Sequence, residues 1–236
     1  AVVLKDLGDN DATTIWAEGA WSDWQGGPSA VEISQGRLWW FGNGRAFGSI
    51  SDAYSSFDPD HEGDAAPINR TVSDAAGFDV NWAMAIERLF VGTSAMVQVV
   101  RSSSLDEPIT PSNYNVKTAT GKGAAALMPA ISGRIGYFVG GDTISLYELR
   151  PDQTGIDYAA TKMNILVPEV SGAGIVKIAA QEEPDFRLYC VLTDGTVALL
   201  VRDDAENVVC WVPLETDGVI EDVCVLPAVI EDRVFF

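Results

Sequence analysis

The chain has 236 residues, with 34 acidic against 15 basic side chains and a formal net charge of −19. A content of 47% hydrophobic and 21% charged residues is that of a folded globular protein and excludes a disordered one. The charge argues against a protein that clamps nucleic acid by neutralising phosphates, which needs Lys and Arg, while leaving open a surface that nucleic acid slides past without sticking.

In chain order, the first segments, AVVLKDL and ATTIWAEGAW, are strand-like. A recurring unit follows, in which a short apolar stretch is broken by polar or Gly-containing residues and resumes with Arg and an apolar run. AVEIS leads through QG into RLWWFG from Arg37, and WAMAI through Glu87 into RLFVGT from Arg88. MPAIS leads through Gly133 into RIGYFVG from Arg134, IVKIAA through EEPDF into RLYCVL from Arg187, and VCVLPAV through IED into RVFF from Arg233. The Arg residues are 51, 46, 53 and 46 positions apart, so five of the 15 basic residues hold one repeat position. Turn signals (GNGR, TSA, GGDT, TDGT) close the Arg runs, and further strand-like stretches follow, such as MVQVV, ISLYEL and VALLV.

The fourth unit is read as four antiparallel strands over 175–180, 187–192, 197–202 and 208–213. Four strands per repeat of this length match a β-propeller blade, whose repeats run ~40–50 residues. The expected fold is all-β: a β-propeller of four-stranded antiparallel blades, with about five repeats, forming a single domain over 1–236. The N-terminal strands are expected to complete a fifth blade begun by VCVLPAVIEDRVFF; a larger ring is the alternative. The first residue is not Met and the last residues are an apolar run, so the chain is expected to be a fragment of a longer protein.

Thr193-Asp194-Gly195-Thr196 is predicted as a tight type I′ hairpin turn, in which Asp-Gly supplies two positive φ angles. The best short-helix candidates are DYAATKMNILVPEV (157–170), limited by Pro168, and ATGKGAAALM. Cys190, Cys210 and Cys224 lie in apolar runs and are read as buried small hydrophobes. No apolar run approaches the ~20 residues of a membrane helix.

Few motifs carry chemistry. Gly42-Asn43-Gly44-Arg45-Ala46-Phe47-Gly48 has the wrong spacing for a dinucleotide loop and reads as a hairpin turn. Thr120-Gly121-Lys122-Gly123 lacks the hydroxyl residue and first glycine of a phosphate loop. Asp58, Asp60, Glu62 and Asp64 alternate like the start of a calcium loop, but Asn69 stands where its bidentate Glu belongs, so an acidic connecting loop is expected; Asp9-Asn10-Asp11 is weaker still. His61 is the only histidine. The acidic pairs Asp106/Glu107 and Glu182/Glu183 read as solvated turns rather than a glycosidase pair. Of the Trp residues, Trp16, Trp21 and Trp24 cluster near the start. Trp39 and Trp40 fall on opposite sheet faces, both as core positions, and Trp82 and Trp211 are core as well. No catalytic, cofactor-binding or metal-binding residue is assigned.

The ordered local signatures resemble those of tail tube or nozzle proteins of tailed bacteriophages and prophages. Trp21-Ser22-Asp23-Trp24-Gln25-Gly26-Gly27-Pro28-Ser29-Ala30-Val31 followed by Gln35-Gly36-Arg37-Leu38-Trp39-Trp40 is similar to that family's opening. Gly48-Ser49-Ile50-Ser51-Asp52-Ala53-Tyr54-Ser55-Ser56-Phe57, Asp64-Ala65-Ala66-Pro67-Ile68, Arg88-Leu89-Phe90-Val91-Gly92-Thr93 and Ile109-Thr110-Pro111-Ser112-Asn113 follow in the family's order. Phe138-Val139-Gly140-Gly141, Tyr158-Ala159-Ala160, Thr193-Asp194-Gly195-Thr196-Val197 and Val209-Cys210-Trp211 complete the series, so the likeness runs from about Trp16 to the end. His61-Glu62-Gly63 and residues 171–174 depart from it.

The resemblance implies a non-enzymatic virion component made in the bacterial host cytoplasm. It would assemble with other tail proteins and with itself into a ring around a DNA conduit. It transfers no catalytic residues; no cofactor is expected, and charge and hydropathy lead to the expectation of no stable nucleic-acid binding and no membrane span. The alternative is a propeller binding module that recognises a sugar or protein through loops 58–68 or 102–115; a glycosidase-type propeller ranks third. Five Arg residues are expected in structural pairs with nearby acids, and the other ten cations spread thinly over an acidic surface.

Overall fold

The Arg-marked repeats fold as successive antiparallel meanders. The computed structural model describes residues 19–24, 26–72, 79–104, 107–155, 157–203, 205–206 and 208–236. The first unit holds β1 (Ala30–Ser34), β2 (Arg37–Gly42), β3 (Arg45–Gly48) and β4 (Ile68–Thr71). The second holds β5 (Val80–Ala85), β6 (Leu89–Thr93), β7 (Val97–Arg101) and β8 (Asn115–Thr120), and the third β9 (Ala130–Ser132), β10 (Ile135–Val139), β11 (Leu146–Pro151) and β12 (Tyr158–Lys162). The fourth holds β13 (Ile175–Gln181), β14 (Arg187–Leu192), β15 (Val197–Asp203) and β16 (Val208–Leu214), and β17 (Cys224–Leu226) with β18 (Arg233–Phe235) ends the series.

Strands of the first four units pair in chain order, and β17 pairs with β18 in a two-stranded sheet. First strands of neighbouring units adjoin, β1 with β5, β9 with β13 and β13 with β17, while the fourth strands β8 and β12 also meet. The protein is all-β and its units are the blades of a β-propeller. The expected closure by the N-terminal strands falls on residues 1–18, outside the described residues. Among the described residues no helix is long and apolar enough to cross a membrane.

Stacking explains the near-continuous apolar runs. Along β6, Leu89 and Val91 pack with Trp39, Phe41 and Val100 toward the first blade. Phe90 between them packs with Trp82, Val99, Phe138 and Tyr158 toward the third. Because successive strand residues point to opposite faces, a blade buried on both sides needs apolar residues at every position. Further apolar layers join the third blade to the fourth, around Tyr137, Leu146 and Leu188, and the fourth to β17–β18, around Tyr189, Val191 and Val223.

Gln35-Gly36 and Asn43-Gly44, with φ of 51°, 70°, 55° and 67°, form two-residue turns of the type I′ kind. The Asp194-Gly195 turn differs from expectation. Only Gly195 has a positive φ, 80°. Asp194 instead accepts hydrogen bonds from the Thr196 backbone N–H (3.0 Å) and hydroxyl (2.7 Å). This is a type I turn followed by a glycine bulge, which accommodates an ordinary aspartate backbone.

Both helix expectations are overturned. In 157–170, Tyr158–Lys162 is strand β12, paired to β11 from Tyr147–Lys162 to Pro151–Tyr158, and only a 3-10 turn, Pro168–Ser171, is helical. A short Ala-containing run gains more from completing a sheet than from helix propensity. ATGKGAAALM ends β8 and continues as a loop, where Gly123 lies so close to the Ser94 carbonyl that a side chain has no room. Cys190 is buried as expected, and its thiol is pushed up by burial. Cys210 and Cys224 are exposed, because β16, the outermost strand of its blade, is open to solvent on both faces and β17 turns one face to solvent.

All five repeat arginines stand at the start of, or one residue before, the second strand of their unit. Their partners are more varied than the expected acids. Arg134 pairs with Glu87 and Arg187 with Asp185 (3.7 Å). The buried Arg37 guanidinium instead donates to four backbone carbonyls, of Ser49 (2.6 Å), Asp64 (2.7 Å), Ala66 (2.7 Å) and Ala65 (3.2 Å). Desolvation lowers its pKa from the ordinary arginine value, with Asp52 opposing. A planar fork with five donors suits this role, and the loop it fastens is 58–68.

One of the ten remaining cations is also buried. Arg202 of β15 lies 2.9 Å from Glu148 Oε1 of β11 and donates to the Tyr137 hydroxyl of β10 at 2.8 Å, clasping the fourth blade to the third. Arg150 approaches the same carboxylate oxygen at 2.8 Å.

Asp232 fastens β17–β18 in a similar way. Its carboxylate accepts from the backbone N–H groups of Glu182 (2.9 Å), Glu183 (3.1 Å) and Ala228 (3.2 Å). The Glu183 and Glu182 amides hold its pKa below the usual carboxylate value. A depressed folded-state pKa gives stability that is complete above the unfolded value of ~3.9 and is lost as pH falls below it. Acid titration followed by hydrogen exchange is therefore expected to expose Cys224–Phe235 before β14. Asp232→Ala is expected to remove that protection already at neutral pH. Equal acid sensitivity of the two segments in both proteins counts against this anchor.

Candidate functional site

The two loops singled out from sequence are both built around named anchors. In loop 58–68, Asp58 accepts the Asp60 backbone N–H (3.0 Å), so this carboxylate closes its own turn. His61 is exposed beside it. Among the described residues no three His, Cys, Asp or Glu side chains converge to hold a metal ion. Asp9-Asn10-Asp11 and Asp106 lie outside the described residues.

Next to this loop is an apolar hollow of about 580 Å³, lined by Trp21, Pro28, Trp40, Phe47, Phe57 and Asn69 among others. It forms because Trp40 and Phe47 are register partners on the first blade's outer face, with Asn69 the next partner across. Trp21 packs edge-on against Phe47, with ring centroids 4.9 Å apart. Arg45 is held by two hydrogen bonds to Asn69 Oδ1 (2.9 and 2.6 Å) and lies 6.0 Å from the Phe47 ring centroid. Trp39 and Trp40 do point to opposite faces, but Trp40 is a half-buried hollow residue and only Trp39 is core. Trp82 is core, whereas Trp211 is half-buried and donates to the Met163 carbonyl (3.1 Å). Trp24 is 87% exposed, and Trp16 lies outside the described residues.

Loop 102–115 is pinned by buried Ile109, whose N–H donates to Gln35 Oε1 (3.0 Å), and by Arg70, which donates to the Pro111 carbonyl (2.9 Å). Beside it runs a charged seam between the second and third blades. Arg134 donates to Glu87 (2.7 Å), and the Tyr158 hydroxyl donates to the same oxygen (3.3 Å). The hydrogen bond from Arg134 lowers the Glu87 pKa, while burial and the Glu87 charge push Tyr158 up to about 12. Lys117 donates to Asp157 (2.7 Å), with Arg101 at 3.8 Å from the same carboxylate. The hydrogen bond from Lys117 lowers the Asp157 pKa. Four of the chain's cations, Arg88, Arg101, Lys117 and Arg134, thus gather here; Arg88 and Arg134 are repeat arginines, and Arg101 and Lys117 are two of the other ten that depart from a thin spread.

Glu107, Glu182 and Glu183 are exposed. The cavities described along this face and the first blade are each lined by at most one carboxylate. A glycosidase pair needs two carboxyl groups ~5–10 Å apart facing one sugar.

No family model matches the chain, and no curated protein does. Among solved structures, it is similar to the crystal structure of a calcium-binding protein, regucalcin, from Agrobacterium tumefaciens. The match has 11% identity and a TM-score of 0.29, and covers 82% of this chain and 75% of that one.

Proposed function

We propose that this protein is a non-enzymatic structural component of a phage or prophage tail, a propeller piece of the distal tube or nozzle wall through which DNA passes. The observation that carries the reading is that the blade series presents apolar side chains at both ends. On the first blade's outer face Val31 and Ile33 are 44% and 58% exposed beside half-buried Trp40 and Phe47. At the other end Leu226 and Phe235 are each 51% exposed. Contiguous exposed apolar surface marks a contact face, and here it fits neighbours in an assembly with other tail proteins and further copies. The ordered motif series from Trp16 onward supports the same reading. The net charge of −19 fits a wall that repels phosphates at short range and so does not hold DNA.

The test is genetic and microscopic. Deleting the coding sequence from the phage or prophage that carries it is expected to leave filled heads with truncated, non-infectious tails. Antibody-gold against the protein is expected to label the distal tail of intact virions. Normal, infectious tails without the protein would end this reading.

A second reading, a propeller module that binds a sugar or protein, is favoured by the aromatic hollow of Trp21, Trp40 and Phe47. It predicts glycan-array binding that Trp40→Ala abolishes.

A further inference from the structure

The like-charged pair Arg88 and Arg101 stands out in a chain so short of cations. The β6–β7 ladder ends at the pair Leu89–Val100. One step further along the register sets Arg88 beside Arg101, on the same blade face as Phe90 and Val99. Like charges directly opposite each other across antiparallel strands repel and destabilise the pair.

The seam's carboxylates answer this repulsion only in part: Asp157 lies 3.8 Å from Arg101, and Glu87 attracts Arg88 without a direct ion pair. Glu87 is engaged by Arg134 and Tyr158, and Asp157 by Lys117, with Arg101 only at its margin. Among the described residues, no carboxylate makes an ion pair or hydrogen bond with Arg88. Among the described residues four cations therefore stand against three carboxylates, Glu87, Asp157 and its neighbour Asp152, in a protein that is otherwise strongly acidic.

Both arginines line one polar cavity of about 740 Å³, together with Gln35, Glu87, Ser103 and Ser104. Gln35 uses its carbonyl oxygen to accept from Ile109, which leaves its amide NH₂ as a donor. Ser103 and Ser104 are exposed and bring hydroxyl groups to the rim. A second cavity of about 160 Å³ also has Arg88 and Lys117 in its wall. Among the described residues the lining of the larger cavity thus combines two guanidinium forks with neutral donors and a single carboxylate, Glu87, already hydrogen-bonded to Arg134. Guanidinium pairs recognise oxyanions bidentately, and an anion between them turns a repulsion into two charge-assisted hydrogen-bonded contacts.

We propose that this cavity between loop 102–115 and the start of β6 is a binding site for a tetrahedral oxyanion group, a phosphate or sulfate monoester, held by Arg88 and Arg101. The cavity is larger than a bare anion, so the remainder of the ester lies along Gln35 and Ser103–Ser104. The site is independent of the tail reading and of the aromatic hollow on the first blade.

The test is calorimetric titration of the whole chain with inorganic phosphate, inorganic sulfate, glycerol phosphate, glycerol sulfate and dimethyl phosphate, with glycerol as the neutral control. The monoesters are expected to bind more tightly than the inorganic anions, and the phosphate and sulfate arms identify which ester the site prefers. Arg88→Gln and Arg101→Gln are each expected to weaken binding about tenfold or more. Lys177→Gln, at the distant pair with Asp222, is expected to leave it unchanged.

A thermal melt keeps the test decisive if a variant is unstable. Wild type is expected to gain melting temperature with glycerol phosphate. Without any anion, Arg88→Gln is expected to melt no lower than wild type, because a like-charge repulsion has gone, and to be insensitive to the ester. Absence of monoester binding by wild type overturns the proposal, as does equal weakening by Lys177→Gln, or binding of the diester in preference to the monoesters.

Discussion

Replacing Glu148 by alanine is expected to destabilise the fold by about 3–5 kcal/mol, the range for removing one partner of a buried ion pair. Arg202 would keep the Tyr137 hydroxyl at 2.8 Å but lose the carboxylate at 2.9 Å, and its guanidinium is too enclosed to recruit full hydration. Arg150, which is about half exposed, can turn to solvent and adds little to the loss. The discriminating measurement is a double-mutant cycle by chemical denaturation. Glu148→Leu combined with Arg202→Met removes both charges together and is expected to cost far less than the two single changes summed. Additive losses would mean that the two side chains stabilise the third and fourth blades independently.

Replacing Arg37 by methionine is expected to have an effect of similar size, about 3–5 kcal/mol, because several charge-assisted hydrogen bonds to main-chain carbonyls disappear at once. Methionine fills much of the volume, so the loss reports polar satisfaction rather than a cavity. At this chain length the melting temperature should fall by roughly 10 °C. Lysine at the same position keeps the charge but cannot fork to the carbonyls of Ser49, Asp64, Ala65 and Ala66 together, so Arg37→Lys should behave more like methionine than like wild type. Hydrogen exchange should show increased opening around Ala65 and Ala66. A lysine variant as stable as wild type would reduce the role of Arg37 to its charge.

These two arginines also mark how far the sequence could be read. Arg37 was visible because it recurs, with Arg88, Arg134, Arg187 and Arg233, at the point where the second strand of each blade begins. Its carbonyl partners were not, because main-chain oxygens leave no trace in side-chain identity. Arg202 resembles any strand-end cation, and its partner Glu148 belongs to another blade. Strand limits in the fourth unit were legible to within a residue, since Val, Ile and Leu runs are separated there by Asp-Gly and by charged turns. Residues 157–170 misled because local helix propensity says nothing about a neighbouring strand that lacks a partner.

The candidate sites divide in the same way. The opposite orientation of Trp39 and Trp40 followed from strand alternation. The hollow under Trp40 did not, since it needs Trp21 and Phe57 from separate segments. The Arg88–Arg101 pair was within reach. A hairpin closed over Thr93–Met96 fixes the register that sets the two side by side, yet Arg101 counted as one more scattered surface cation. Burial of the outer-strand cysteines was misjudged because an apolar run does not say whether both sheet faces have neighbours.

The consecutive pairing of strands within each blade has a consequence for synthesis. Nothing in a blade waits for a segment made much later, so each can form its own ladder as soon as its fourth strand leaves the ribosome, and then serve as a template for the next. Order therefore propagates from the first blade to the last, and middle blades, flanked on both sides, should be the last to yield under denaturant. A chain shortened at the boundary between two blades loses one stacking layer rather than the whole structure, as a stack of coins loses its top.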